Sequence, residues 1–433
     1  MSVSFRGNLQ GRAGLGFAVI YAVIFVLFLW SNPQNVSLYI TEDGRDYIEY
    51  ARLIYTGNFS EINAFNRVIL RPPLYAWLIA LANFFVDDLQ TRIYSLHAAI
   101  AFVSLLSSIY LLRKTVQPLL TAVMLSIVLL QAQVYFYTPL SEWSVINFLV
   151  VFLALLVVLL RTGSRRVFNI VVFVCMSLLL LHASMLPLLL ILAYVALKQN
   201  RESPSGRVLW NIIARTALTL LPLLLYQRVF LGRFMVSPNA GIAVGGLASV
   251  FDSGLNVRNK GSEFRLFLEE FYRLKYPHTD TEKGGLFPRS VEGIINRNMY
   301  EVGGGIRVSR GWSYLKLNNV FREYGLSVLK EHKFSYIRFV LTEWLKSFKM
   351  ISLPNALLIL IFIFLLFTRV SEEIKPLYQV TVVMFIFHCL HELVCVAVHP
   401  AIYRHFSASY FPFLAAVYVS LTAGLIRLRY KKA

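Results

Sequence analysis

For most of its length the chain alternates long apolar runs with short polar joints. The apolar runs fall at roughly 14–30, 93–112, 118–138, 140–160, 167–181, 184–197, 208–230, 350–368, 377–398 and 408–426. Most approach the ~20 residues that a helix needs to cross a ~30 Å hydrocarbon core. Only helices and closed barrels satisfy their backbone in lipid, and runs of this length are helical. The pattern predicts an all-α integral membrane protein with about ten transmembrane helices.

Charge decides two ambiguous segments. The apolar run 73–86 is only about 14 residues, too short for a span. Counting it would also carry the later basic loops across the membrane, so it is expected as an external helix lying at the interface. The run 167–197 could be one long helix, but a single crossing would separate Arg161, Arg165 and Arg166 from Lys198, Arg201 and Arg207. Two short helices, broken near His182 and Pro187, keep both groups on one side.

Two polar segments interrupt the pattern. They divide the chain into an N-terminal transmembrane module (1–230, with a first external loop at 31–92), an external, mostly helical subdomain (231–349) and C-terminal transmembrane helices (350–433). In the first loop Asp43, Tyr47, Ala51 and Ile54 recur near the 3.6-residue period, Gly57 stops that helix, and Pro72-Pro73 starts another. Asp43 can be read as an N-cap with Asp46 as capping partner, or as a general base at the membrane surface. Helices are expected at 262–272 and about 311–349 of the second segment. Its Val-Gly-Gly-Gly-Ile at 302–306 follows no strand and lacks Lys-Ser/Thr, so it is no phosphate-binding loop.

Composition agrees with the membrane reading: 57% of the 433 residues are hydrophobic. The net charge of +19 matters through its placement. With the N-terminus inside, the inside loops carry Arg113 and Lys114, the Arg161–Arg166 and Lys198–Arg207 groups, Arg369 and Lys375, and the tail from Arg427 to Lys432. All are basic, as the positive-inside rule asks, and both polar segments then face outside. Lipid-embedded helices offer no contiguous basic surface, which argues against nucleic acid as a partner. The run 14–30 lacks a small-residue cleavage site and is expected to stay as an anchor. In a bacterium the protein would lie in the plasma (inner) membrane. Asn35-Val-Ser and Asn58-Phe-Ser are outward sequons. Cys175, Cys389 and Cys395 lie in apolar segments and suggest neither a disulfide framework nor a zinc finger.

The order Asp43-x-x-x-Tyr47-x-x-x-Ala51, then Gly57, then Arg71-Pro72-Pro73-Leu74, resembles the first external loop of the GT-C superfamily of membrane glycosyltransferases. Within that superfamily it resembles the protein O-mannosyltransferase and lipid A aminoarabinose transferase group. That family often has Asp-Glu at the start, whereas here Glu42 precedes Asp43 and Gly44 follows it. The resemblance covers the first ~150 residues best, with fragments at 227–237 and 403–412. It implies a polyprenyl-phosphate-linked sugar donor, a glycan, lipid or protein acceptor, and transfer on the extracytoplasmic side.

Inverting transfer needs one carboxylate to take the acceptor's proton; the lipid phosphate already leaves well. Asp43 is the expected base. The departing phosphate gains negative charge, which guanidinium forks suit. By the resemblance, Tyr47, Arg71, Glu142, His182, Arg228, Arg404 and His405 are the substrate-binding candidates. Interfacial arginines can instead snorkel to headgroups, and a helix-start glutamate such as Glu142 also favours the dipole.

His388, His391, Glu392, Cys395 and His399 share one helical face. Such a face can bind metal or line a polar cavity; cavity lining is the expectation, with no metal site and no cofactor assigned. Tyr135, Tyr137, Trp143, Tyr403 and Tyr410 are expected in an aromatic belt. Two other readings compete: a transporter or lipid flippase, which would favour inverted repeats, and a non-catalytic relative of the same fold.

Overall fold

A computed structural model describes residues 2–31, 38–199, 205–233, 239–252, 254–255, 261–275, 291–366, 371–397 and 403–431. All regular structure among them is helical. In chain order the helices are α1 (Ser2–Ser31), α2 (Glu42–Tyr55), α3 (Pro73–Ala82), α4 (Leu89–Leu112), α5 (Pro118–Gln131), α6 (Ser141–Thr162), α7 (Arg165–Leu181), α8 (Leu188–Gln199) and α9 (Ser205–Leu231). There follow α10 (Ala240–Ala248), α11 (Ser262–Leu274), α12 (Val291–Asn296), α13 (Gly303–Ser309), α14 (Tyr314–Glu331), α15 (Lys333–Ser347), α16 (Leu353–Leu366), α17 (Lys375–Val396) and α18 (Tyr403–Lys431).

Among the described residues five helices are long and apolar enough to cross a membrane: Ala13–Ser31, Leu89–Leu112, Ser141–Thr162, Lys375–Val396 and Arg404–Ile426. Lys333–Met350 and Leu353–Leu366, bent by 100° at a short break, make a sixth if they count as one span. The ten expected segments are all helical at least in part. Several are shorter than expected, as where 118–138 yields a helix only to Gln131. α6 and the Arg404–Ile426 part of α18 sit centrally, 78% of each apolar window being buried, whereas α1 is peripheral at 28%. α6 packs against α4, α7, α17 and α18.

The bent pair differs from expectation. α15 was expected in the external segment but lies along α17. Tyr336 Oη donates to Ala397 O at 2.9 Å, and Trp344 Nε1 donates to Cys389 O at 3.0 Å. Its opposite face exposes Phe334, Ile337, Leu341 and Leu345, a stripe at helical spacing. The break falls at Ile351–Ser352, and Pro354 follows in the first turn of α16, where its missing N–H has no intrahelical partner to lose.

A second core, running from Ile242 to Val328, belongs to the segment between α9 and α15. Here α10 lies almost against α14. A Cβ on Gly245 would stand 2.4 Å from the Phe321 ring and 2.7 Å from its carbonyl. Asn318 Oδ1 accepts from the backbone N–H of Gly241 at 2.7 Å and of Ile242 at 3.1 Å, satisfying two orphan donors of α10.

Candidate functional site

The first loop folds locally as its pattern predicts. α2 buries Tyr47, Ala51 and Ile54, Gly57 adopts a left-handed φ of 72°, and Pro73 opens α3. One assignment changes. Thr41, not Asp43, is the N-cap: its hydroxyl accepts from Gly44 N–H at 3.0 Å. A threonine hydroxyl satisfies that orphan donor as well as a carboxylate would, so Asp43 sits in the first turn with its oxygens free for other partners.

Those partners are arginines from distant parts of the chain. Arg71, just before α3, donates through Nη2 to Asp43 Oδ1 and, at 2.7 Å, to Asp46 Oδ2; its Nε also donates to Asp46 Oδ2 at 2.9 Å. Arg404, at the head of α18, brings Nη1 to 2.8 Å from Asp43 Oδ2 and Nε to 2.9 Å from Glu142 Oε1. Arg67 reaches Asp46 Oδ2 at 3.1 Å and Glu42 Oε2 at 3.3 Å. The result is a chain of ion pairs, Glu42–Arg67–Asp46–Arg71–Asp43–Arg404–Glu142. Glu142, in the first turn of α6, is the most deeply placed, its side chain 3% exposed, and its Oε2 has no hydrogen-bond partner.

The two aspartates differ electrostatically. Burial pushes the Asp43 carboxyl up, but Arg71, Arg404 and Arg67 outweigh it and hold it below the ordinary carboxylate range. For Asp46 burial dominates over Arg71 and Arg67, and the carboxyl lies above that range. The Arg71 guanidinium is held protonated: burial opposes its charge, and Asp43 and Asp46 more than offset it.

Apart from Asp46, the members of this ion-pair chain line a cavity of about 770 Å³, within the range of small-molecule and cofactor sites. Asp43, Tyr47, Arg71, Glu142, His182, Arg404 and His405 all face it. Asn239, Ala243, Met299 and Tyr300 of the 231–349 segment also line it, and Tyr300 stacks under the Arg67 guanidinium at 5.6 Å. Beneath the loop, Tyr47 Oη donates to Ser141 Oγ at 3.2 Å, and its ring meets Tyr75 edge-on at 5.0 Å. Tyr75 Oη pairs with His97 Nε2 at 2.7 Å, while His97 Nδ1 pairs with Phe136 O at 2.9 Å. α2 and α3 are thereby fixed to α4 and α6.

Other expected site residues lie elsewhere. Arg228 is exposed near the end of α9, donates to Gly232 O and is not among the cavity-lining residues, because the helix ends with that side chain pointing outward. His388, His391 and Glu392 are fully buried behind the wall instead of lining the cavity. Serines from other segments occupy the space between. His182 Nδ1 pairs with Ser184 Oγ at 2.6 Å, Ser184 Oγ with His391 Nε2 at 2.9 Å, His391 Nδ1 with Ser409 Oγ at 3.0 Å, and Ser409 Oγ with His388 Nδ1 at 2.8 Å. Glu392 Oε1 lies 3.3 Å from His391 Nδ1. Among the described residues no three His, Cys, Asp or Glu side chains form a metal-binding group, and His399 lies outside those residues.

The expected aromatic belt is mostly packing. Trp143, Tyr135 and Tyr410 are buried: Trp143 Nε1 donates to His97 O at 3.0 Å, and Tyr135 Oη accepts from Ser407 at 2.6 Å. The side chain of Tyr403 lies outside the described residues.

Sequence reading missed Arg67 and Ser184 and gave Asp46 only a capping part. A signal existed for the first, since Arg67 and Arg71 are four apart just before the Pro72-Pro73 helix start. Nothing local marks Ser184, whose partner is 207 residues away. Comparison with protein-family models, curated proteins and solved structures returns no match for this chain.

Proposed function

We propose that the protein is a membrane glycosyltransferase of GT-C type, moving a sugar from a polyprenyl-phosphate donor to an acceptor hydroxyl on the extracytoplasmic side. The observation carrying this reading is Asp43 held between Arg71 and Arg404 in a cavity at the mouth of the transmembrane bundle. Asp43 takes the acceptor proton as the acceptor oxygen bonds to the anomeric carbon. The bond from that carbon to the phosphate oxygen breaks with its electron pair, and Arg71 and Arg404 hold the departing lipid phosphate. His182 and His405 stand on the same wall, placed to hydrogen-bond the sugar or phosphate. In this reading all ten apolar segments contribute to the membrane domain, with both termini inside.

The runner-up is a transporter or flippase. It draws on the bent pair α15–α16, since broken helices mark many transport sites. A passage would have to continue along that break, and no residue of α15 or α16 lines the cavity. Transfer of a radiolabelled sugar from polyprenyl phosphate, in membranes holding equal protein, separates the readings. Asp43→Asn should lower transfer by roughly 10²–10⁴-fold, the contribution of a general base. Near-normal transfer by well-expressed Asp43→Asn would remove Asp43 from the chemistry.

A further inference from the structure

In the structure both oxygens of Asp43 are taken by guanidiniums, Oδ1 by Arg71 and Oδ2 by Arg404. The same two arginines are the cations placed to receive a phosphate. Arg67 is the third, and among the described residues no other lysine or arginine lines the cavity. Against these three guanidiniums stand four carboxylates: Glu42, Asp43, Asp46 and Glu142. The cluster is already in negative excess, so an anion cannot simply add to it. It must replace a carboxylate as the partner of a guanidinium.

Among the described residues Glu42, 76% exposed, pairs only with Arg67; among the partners of Arg71 and Arg404, exposure indicates which carboxylate yields. Glu142 is enclosed and Asp46 is gripped by both Arg67 and Arg71, whereas the Asp43 side chain is 21% exposed and the Arg404 side chain 31%. Of the contacts made by Arg71 and Arg404, the Asp43–Arg404 pair is therefore the one that an incoming oxyanion reaches first. We propose that the donor's phosphate and Asp43 compete for Arg404 and Arg71, so that phosphate binding releases the carboxylate that then acts as the base. The free protein keeps its base masked, and the donor unmasks it.

This rests on the glycosyltransferase reading but has its own consequences. Removing the competitor's charge should tighten phosphate binding while abolishing transfer. Coupling between two ligands of one site is typically 5–150-fold. Purified full-length Asp43→Asn in lipid nanodiscs should thus bind polyprenyl phosphate about tenfold more tightly than wild type. Unchanged or weaker binding would overturn the competition. Asn can still accept from Arg71, and Glu142 remains beside Arg404, so neither guanidinium is stranded.

The second measurement uses the unaltered protein. Activity falls at acid pH as the base becomes protonated. The acid limb of kcat/KM reports the free protein and that of kcat the donor complex. In the free protein Asp43 faces Arg71, Arg67 and Asp46 of its own loop, Glu142 of α6, Arg404 and His405 of α18, and His182. Exchanging arginine contacts for a nearby phosphate charge raises its proton affinity. The acid limb of kcat should therefore lie at higher pH than that of kcat/KM, and coincident limbs would overturn the idea. Absence of both transfer and polyprenyl-phosphate binding in wild type would instead overturn the parent reading.

Discussion

Removing Arg404 should destabilise the fold through Glu142, whatever the cavity binds. The Glu142 side chain is 3% exposed, its Oε1 lies 2.9 Å from Arg404 Nε, and its Oε2 has no hydrogen-bond partner. Taking away one partner of a buried pair costs about 3–5 kcal/mol, mostly the penalty of the charge left behind. The Arg404 side chain is itself 31% exposed and water from the cavity can follow it out, so the low end, about 3 kcal/mol, is expected for Arg404→Ala. Glu142→Gln should cost about 1 kcal/mol, since Arg404 keeps Asp43 as partner. The double variant strands nothing and should cost about 2 kcal/mol, less than the sum of the singles. The coupling, about 2 kcal/mol, is within reach of a double-mutant cycle measured by equilibrium unfolding in mixed micelles. Additivity to within about 0.5 kcal/mol would show that Glu142 does not depend on Arg404, and the central ion-pair chain would have to be redrawn.

Three further outcomes test other parts of the structure. Thr41→Ala should cost α2 about 1 kcal/mol and speed amide exchange at its first turn, an effect that Asp43→Asn should not reproduce. Gly245→Ala forces a methyl into Phe321 and should cost about 1–3 kcal/mol, read as faster proteolysis of the 231–349 segment in detergent. Gly304→Ala meets nothing within 4 Å and should be neutral or slightly stabilising. Topology reporters fused at Ser164 and Gly304 should fall on opposite sides of the membrane; finding them together would break the orientation drawn from the basic loops.

Much of the fold was legible because the membrane imposes a coarse rule. A helix in lipid must be long and apolar, and both properties show in a window of one segment. The limits come from segments that do not meet lipid all round. α15 looks like an external amphipathic helix because Ser335, Arg338, Thr342 and Lys346 make one exposed polar face, yet the face carrying Tyr336, Val340 and Trp344 packs on protein: Tyr336 donates to the carbonyl of Ala397, just past the end of α17, and Trp344 to that of Cys389 within it. Trp143 shows the same limit. Its position near a helix start suggests an interface anchor, but the side chain is fully buried and its N–H is spent on His97 O. Periodicity reports that a face is polar or aromatic; it does not report whether water, lipid or another helix meets that face.

The site divides along the same line. Asp43, Tyr47 and Arg71 were legible because one loop holds them, and a helix stop and a Pro-Pro start fix their spacing. Glu142 and Arg404 were found through resemblance, since their 2.8–2.9 Å contacts join residues hundreds of positions apart in sequence. The histidine face shows what a pattern leaves undetermined. Its spacing suits a metal or a cavity equally, and the outcome depends on Ser184 and Ser409, which come from other segments and occupy the space on which both readings depend. A small hydroxyl is enough to turn two histidines from potential ligands into members of a hydrogen-bonded chain, because a buried ring nitrogen takes the partner that the packing supplies; His388 Nε2 is left without one among the described residues. The polar groups that remain uncommitted are thus the informative ones. Among the described residues of this site, Glu142 Oε2 is such a group, adjoining the arginine that a phosphate would engage.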